Sequence, residues 1–184
     1  MHNDPANLRD LWGLTASDSQ AAGGSKETTE ETVSNPDTNR TSRKGVDINY
    51  FPKDEKIYKY AKKVENPVDD DVFDVGGHGA PFFMVDDTGN RISADKLAET
   101  IKADANYQEG MTVRLLSCST GKYSDGFAQE LADEMGAGAT VMAPSKTLNI
   151  YSDGSLKIYD TSINSDGKEE IEEGEWKTFI GKEK

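Results

Sequence analysis

The chain has 184 residues, 34 acidic against 21 basic side chains, a formal net charge of −13, and a hydrophobic fraction of 34%. This length fits one domain, and the negative charge disfavours binding to nucleic acid and to anionic membrane surfaces. We find no apolar run long enough to span a bilayer and no stretch typical of a signal peptide in residues 1–30.

The N-terminal part of the sequence divides into a short apolar segment and a polar linker. Residues 1–14 contain three leucines and a tryptophan, and Asp4 before Pro5 is typical of a helix start. Residues 15–45 contain one β-branched aliphatic residue and no aromatic residue, too little apolar surface to offset the entropy of ordering. We therefore predict a flexible linker over residues 15–45 and one folded domain over residues 46–184.

The sequence of residues 46–184 predicts alternating strands and helices. Residues 47–60 indicate a strand or a short helix, and the clearest strands are 72–75, 82–85, 111–116 and 139–143. A helix capped by Ser93 runs to about residue 103, and a second spans 125–135 with Ser124 as its cap. Residues 148–159 form a hairpin around Asp153-Gly154, and the C-terminal residues Trp176, Phe179 and Ile180 dock on the core. This order predicts an α/β fold with a mostly parallel sheet flanked by helices and a C-terminal β-hairpin.

The numbers of cysteine and histidine residues limit which kinds of site this chain can form. Cys118 is the single cysteine, which excludes an internal disulfide, and together with His2 and His78 it gives too few ligands for a typical zinc site. We therefore expect no metal and no cofactor.

His78 and Cys118 each follow a predicted strand. The 118 − 78 = 40 residues between them accommodate a hairpin strand, a helix and the next core strand. A right-handed crossover makes the two core strands neighbours, with their carboxyl ends at the same edge, where sites form in parallel sheets. The sequence therefore predicts a Cys118 nucleophile with His78 as its base.

Two further features of these loops fit a nucleophilic cysteine. Glycines flank His78, so the amide of Gly79 can serve as an oxyanion donor together with the amide of Cys118. A helix beginning near residue 125 would lower the pKa of the thiol if its N-terminus pointed at the sulfur. Either Asp74 or a backbone carbonyl could orient His78, and the sequence does not decide between them. The sequence also identifies no specificity pocket.

The segments Asp74-Val75-Gly76-Gly77-His78-Gly79 and Leu115-Leu116-Ser117-Cys118-Ser119-Thr120-Gly121 resemble the two catalytic blocks of caspase-fold cysteine peptidases. That clan includes caspases, legumain, clostripain and gingipain, and its pattern is a hydrophobic strand followed by His-Gly and then a later hydrophobic strand followed by a small residue and Cys. The resemblance covers about residues 71–145. It implies a caspase-like fold, with the general base, nucleophile and oxyanion donor at the positions already named.

A second resemblance lies in residues 10–14, Asp-Leu-Trp-Gly-Leu, which are similar to the end of an Rhs-repeat shell that precedes a released toxin domain. Leu11 stands where that motif has proline. The resemblance implies that residues 1–14 end a shell segment and that the remainder is the C-terminal toxin of a polymorphic delivery system. It further implies secretion through a carrier, delivery into the cytoplasm of a target cell, and a cognate immunity protein as partner.

The function predicted from the sequence is a thiol peptidase toxin that hydrolyses proteins of the target cell. A related Cys/His acyl transfer such as protein deamidation is the alternative among enzymes. A non-catalytic binding module, in which Cys118 is a core residue, is the alternative from another class.

Overall fold

The centre of the fold is a five-stranded mixed sheet. The computed structural model describes residues 5–6, 44–66 and 71–183, and elements are numbered in chain order. The strands of this sheet are β2 (Ile48–Asn49), β3 (Val72–Gly76), β7 (Thr112–Leu116), β8 (Thr140–Pro144) and β12 (Trp176–Ile180). They lie in the order β12-β8-β7-β3-β2. Only β12 is antiparallel to its neighbour, so the predicted α/β architecture with a mostly parallel sheet is confirmed at this level.

Helices cover the two faces of this sheet unequally. The helices are α1 (Lys56–Ala61), α2 (Ala94–Ala103) and α3 (Phe127–Met135). Both α2 and α3 pack on one face, which we call the helix-pair face; its buried side chains include Phe73, Val75, Leu97, Leu115, Leu131 and Val141. The other face, which we call the Phe51 face, has a smaller core of Phe51, Ile57, Ala61, Val64, Leu116, Cys118, Leu148 and Ile150. Successive residues of a strand point to opposite faces, which is why Leu115 and Leu116 belong to different cores.

Two smaller sheets complete the fold. A three-stranded sheet follows β3 and contains β4 (Gly79–Ala80), β5 (Phe83–Val85) and β6 (Arg91–Ile92). A four-stranded sheet has the order β1-β9-β10-β11 and contains β1 (Pro5–Ala6), β9 (Leu148–Tyr151), β10 (Leu156–Ile163) and β11 (Glu169–Glu173). The predicted hairpin around Asp153-Gly154 is confirmed as β9–β10. Helices α1, α2 and α3, the helices of the described ranges, have 6, 10 and 9 residues, and none of them could span a bilayer.

Two predictions about element boundaries were wrong, and one strand was not predicted. Pro5–Ala6 forms a strand paired with β9 instead of starting a helix, a role proline tolerates on a sheet edge because it has no N–H to donate. Helix α3 begins at Phe127 with Gly126 as its N-cap, not at residue 125 with Ser124, because Pro81 accepts the Phe127 N–H at 2.8 Å. Strand β11 was missed because its five residues, all exposed and four of them Glu, carry no alternating apolar pattern.

The predicted N-terminal segments 1–14 and 15–45 lie outside the described residues, except for 5–6 and 44–45. Lys44 forms an isolated antiparallel bridge with Glu65, so regular structure reaches slightly further toward the N-terminus than predicted. At the other end of the chain, Phe179 is buried in the core of the helix-pair face and Trp176 is partly buried against the core of the Phe51 face, while Ile180 is half exposed. The predicted docking of the C-terminal segment therefore holds for two of these three side chains.

Candidate functional site

The two strands that precede His78 and Cys118 end side by side. Strands β3 and β7 are parallel neighbours, and Gly76 is in register with Leu116. One further bond, from the Gly77 N–H to the Leu116 carbonyl at 3.3 Å, extends the ladder beyond the strand end. His78 and Cys118 therefore each follow an in-register position by two residues. The predicted convergence of the two loops at one sheet edge is confirmed.

The loops also touch at Gly79 and Ser117. A Cβ atom at Gly79 would overlap the Ser117 Oγ and would lie 3.1 Å from Thr120 Cγ2, so only glycine fits at this position. The Ser117 hydroxyl is buried and makes no hydrogen bond among the described residues. Gly79 itself is the first residue of β4. Close contact between the backbone of one loop and a side chain of the other fixes their relative position.

His78 is held by a carboxylate that the sequence did not reveal. Its Nε2 lies 2.7 Å from Oε2 of Glu55, and its side chain is 11% exposed. The Phe51 ring packs edge-on against the imidazole, with a centroid separation of 5.3 Å. An Nε2–H that donates to the carboxylate leaves Nδ1 as the nitrogen with a free lone pair, so Nδ1 is the atom that can accept a proton.

Glu55 reaches His78 because of its place at the end of a loop. It is the N-cap residue of α1, but its side chain makes no capping hydrogen bond. Its carboxylate is therefore available to the imidazole of a residue 23 positions later. Nothing in the local sequence distinguishes Glu55 from the neighbouring acidic residue Asp54, so only the fold identifies it.

Asp74, the other candidate for orienting His78, has a different partner. Its two carboxylate oxygens accept hydrogen bonds from Arg114, at 2.7 Å from Nε and 2.8 Å from Nη2, and its side chain is fully buried. Asp74 and Arg114 lie opposite each other on β3 and β7. This ion pair joins the two strands that carry the site, and it leaves the orientation of His78 to Glu55.

The Cys118 thiol lies in the core of the Phe51 face. The Leu148 N–H donates to Sγ at 3.3 Å, and the thiol donates to the Leu148 carbonyl at 3.8 Å. Burial raises the pKa of Cys118 to about 12; hydrogen bonds from Leu148 and Thr147 act in the opposite direction, and the charge of Asp160 adds to the increase. The thiol is therefore protonated at neutral pH.

The expected effect of α3 on the thiol is not found. The first amides of this helix are already paired, since Phe127 N–H donates to the Pro81 carbonyl at 2.8 Å and Ala128 N–H to the Thr120 carbonyl at 3.3 Å. Burial raises the pKa of Cys118, and none of the groups that shift it belongs to α3, so the lowered thiol pKa that would follow from a helix N-terminus at the sulfur is not found.

His78 and Cys118 lie on the same side of the sheet. Phe51 contacts the imidazole and belongs to the same buried cluster as Cys118. Gly76 makes this possible, because a Cβ there would come 2.9 Å from Cε2 of Phe51 and would push the ring away from the strand end. Glu55 contacts the His78 imidazole, whereas the Cys118 Sγ pairs with Leu148 and, within residues 44–66 and 71–183, forms no hydrogen bond with the ring.

The remaining predicted element is the oxyanion site. The Cys118 amide donates no hydrogen bond to any residue in the described ranges 44–66 and 71–183. Within the same ranges, no group of three or more His, Cys, Asp or Glu side chains is arranged to hold a metal ion.

Comparison with known proteins gives a family and one relative. A family model described as "Domain of unknown function (DUF8616)" matches residues 46–158, which include Glu55, His78 and Cys118. The "Putative uncharacterized protein YibJ" of Escherichia coli (strain K12) is 42% identical over 94 residues, which are 51% of this chain and 39% of the relative. The chain thus matches about two fifths of that relative's length. No solved structure matches significantly.

Proposed function

The chain belongs to the DUF8616 family, and for it we propose a thiol peptidase activity in which Cys118 is the nucleophile and His78 the base. The observation that carries the proposal is the placement of both side chains two residues beyond in-register strand ends, on one face of the sheet. The short contact between His78 and Glu55 adds the orienting group that a histidine base requires.

The proposed reaction begins with the neutral thiol. Nδ1 of His78 accepts the Sγ proton as sulfur attacks the peptide carbonyl, and Glu55 stabilises the imidazolium that forms. The amides of Cys118 and Gly79 hold the oxyanion. Collapse of the intermediate breaks the C–N bond, His78 returns the proton to the departing amine, and water then hydrolyses the thioester.

The raised pKa of Cys118 determines how the nucleophile forms. A thiol with a pKa of about 12 does not ionise on its own at neutral pH. Proton transfer to His78 must therefore accompany the attack on the substrate. The Leu148 N–H, 3.3 Å from Sγ, supports the negative charge that develops on sulfur.

The proposal extends to the biological setting that the sequence resemblances imply. A caspase-like peptidase acting as a carrier-delivered toxin, with a protein substrate in the target cell and a cognate immunity protein, accounts for the two catalytic blocks and for residues 10–14. Residues 10–14 lie outside the described residues, so this part of the proposal depends on the sequence alone.

Incubation of the full chain with a cell lysate, followed by mass spectrometry of new protein N-termini, tests the activity. We expect new termini with the wild-type chain and none with Cys118→Ala or His78→Ala. Circular dichroism of each variant establishes that it is folded. Glu99→Gln is a matched control, because Glu99 pairs with Lys96 on the exposed side of α2.

The same experiment separates the alternatives. Conversion of glutamine to glutamate without new termini indicates a Cys/His deamidase that uses the same residues. Absence of both products indicates a non-catalytic module, the alternative favoured by the burial of Cys118 within the Phe51 face.

A further inference from the structure

We propose that Phe82 and Tyr123 form a binding platform for a neutral, large apolar side chain of the peptide substrate, flanking the bond that is cut. This inference rests on the proposed function and adds a substrate class to it. The two rings stack with a centroid separation of 5.4 Å and an interplanar angle of 19°. They are 56% and 43% exposed, so a large aromatic surface faces solvent.

Each ring comes from one of the two reactive loops. Phe82 follows His78 by four residues and Tyr123 follows Cys118 by five. An extended chain advances about 3.3–3.6 Å per residue, so the Cα atom of each aromatic residue lies within about 18 Å of the Cα atom of its reactive residue. That distance is within reach of a substrate segment of a few residues that is bound at the thiol.

The backbone anchors the platform against the fold. The Pro81 carbonyl, next to Phe82, accepts the Phe127 N–H at 2.8 Å, and the Tyr123 carbonyl accepts the Gly126 N–H at 3.3 Å. A Cβ at Gly126 would come 2.6 Å from the Pro81 oxygen, so glycine permits this close approach of the loops. Rings held in this way lose little conformational entropy when a substrate side chain packs on them.

The charge beside the platform selects among apolar and basic side chains. Lys122 Nζ lies 5.5 Å from the centroid of the Tyr123 ring. A second cation from a substrate Lys or Arg would be repelled there, whereas a neutral aromatic or large aliphatic side chain would pack on the open surface of Phe82. The platform therefore favours Phe, Tyr, Leu or Met in the substrate.

Cleavage profiling with a peptide library prepared from a digested proteome tests the inference. We expect wild-type cleavage sites to be enriched in large apolar residues at one fixed position near the cut. Phe82→Ala/Tyr123→Ala should lose that enrichment and cleave such peptides about tenfold more slowly, since a well-packed aromatic contact contributes on that order. Ile163→Ala, which removes another exposed apolar side chain from the distant strand β10, should change neither.

Cleavage without apolar enrichment, or enrichment that survives in the double variant, overturns the inference while leaving the peptidase proposal intact. If the wild-type chain cleaves nothing, the peptidase proposal fails, and a binding measurement then decides about the platform. In ¹⁵N-labelled Cys118→Ala, N-acetyl-phenylalaninamide should cause saturable shifts around residues 81–83 and 122–124 that the added double substitution abolishes. Absence of saturable shifts there overturns the inference.

Discussion

The Nε2 atom of His78 lies 2.7 Å from Oε2 of Glu55, and this pair fixes the orientation of the imidazole. The carboxylate comes from the residue that precedes α1 and the imidazole from the loop that follows β3. The pair occupies Nε2 and leaves Nδ1 as the nitrogen that would accept a proton in the proposed reaction. Glu55 is consequently the positioning residue of the proposed site, and Cys118 and His78 are its reactive residues.

Substitution Glu55→Gln should reduce the proposed peptidase activity without unfolding the chain. The amide keeps a hydrogen bond to Nε2 but no longer stabilises the imidazolium, so we expect kcat/KM to fall by roughly tenfold or more, against about 10²–10⁴-fold for His78→Ala. The measurement is kcat and KM, determined separately, on a peptide found by terminal profiling. We expect the loss to fall on kcat, since Glu55 acts through His78 and not on the bound substrate. A kcat equal to that of the wild-type chain would assign Glu55 a structural role.

The alkaline stability of the chain should depend on Cys118. Its pKa is raised from 9.0 to about 12, so the folded state retains a proton that the unfolded state loses. The stabilisation is therefore complete below about pH 9 and falls by about 1.4 kcal/mol per pH unit as the pH rises toward 12.

Urea unfolding at several pH values between 8 and about 10.5 measures this slope, and Cys118→Ala is the control because it has no thiol to titrate. The difference in unfolding free energy between the two proteins should be constant near pH 8 and shift in favour of the variant above pH 9. Parallel curves over the whole range would show that the thiol titrates normally in the folded state.

Substitution Gly79→Ala should force the two reactive loops apart. The added methyl group overlaps the Ser117 Oγ, and overpacking of this kind destabilises by about 1–3 kcal/mol. Ser117→Ala removes that oxygen and also relieves a buried hydroxyl without a hydrogen bond, so by itself it should be neutral or slightly stabilising.

Combining the two substitutions should recover part of the stability lost in Gly79→Ala. Thermal or urea unfolding of all four proteins gives the coupling energy from a double-mutant cycle. Additive effects, with no recovery in the double variant, would contradict the close approach of the loops.

Substitution Arg114→Met should destabilise the fold and not act through His78. It leaves the fully buried carboxylate of Asp74 without its guanidinium partner, which costs about 3–5 kcal/mol in comparable cases. Lys96→Met is the matched control, because its pair with Glu99 is solvent-exposed and an exposed ion pair contributes little to stability. Urea unfolding provides both values, and a loss below that of the control would contradict the role of the ion pair.

Several parts of the fold were predictable because they depend on local patterns. The apolar run that becomes β7 and the glycine-rich segment after β3 mark where two buried strands end. The handedness of βαβ crossovers then implies that those ends are neighbours. The hairpin β9–β10 follows from its turn residues, Asp153-Gly154, which favour the left-handed backbone that Gly154 adopts with a φ of 90°.

The sequence by itself thus determined the alternation of strands and helices and brought His78 and Cys118 to one edge, because periodicity and turn chemistry act over a few residues at a time. Only the tertiary structure decided that the Glu55 carboxylate contacts the His78 ring and that Arg114 forms an ion pair with Asp74. It also decided that burial raises the pKa of Cys118. These outcomes depend on which distant segments pack around a side chain. The dielectric environment and the hydrogen-bond partner of a group are properties of that assembled packing, and no short stretch of sequence contains them.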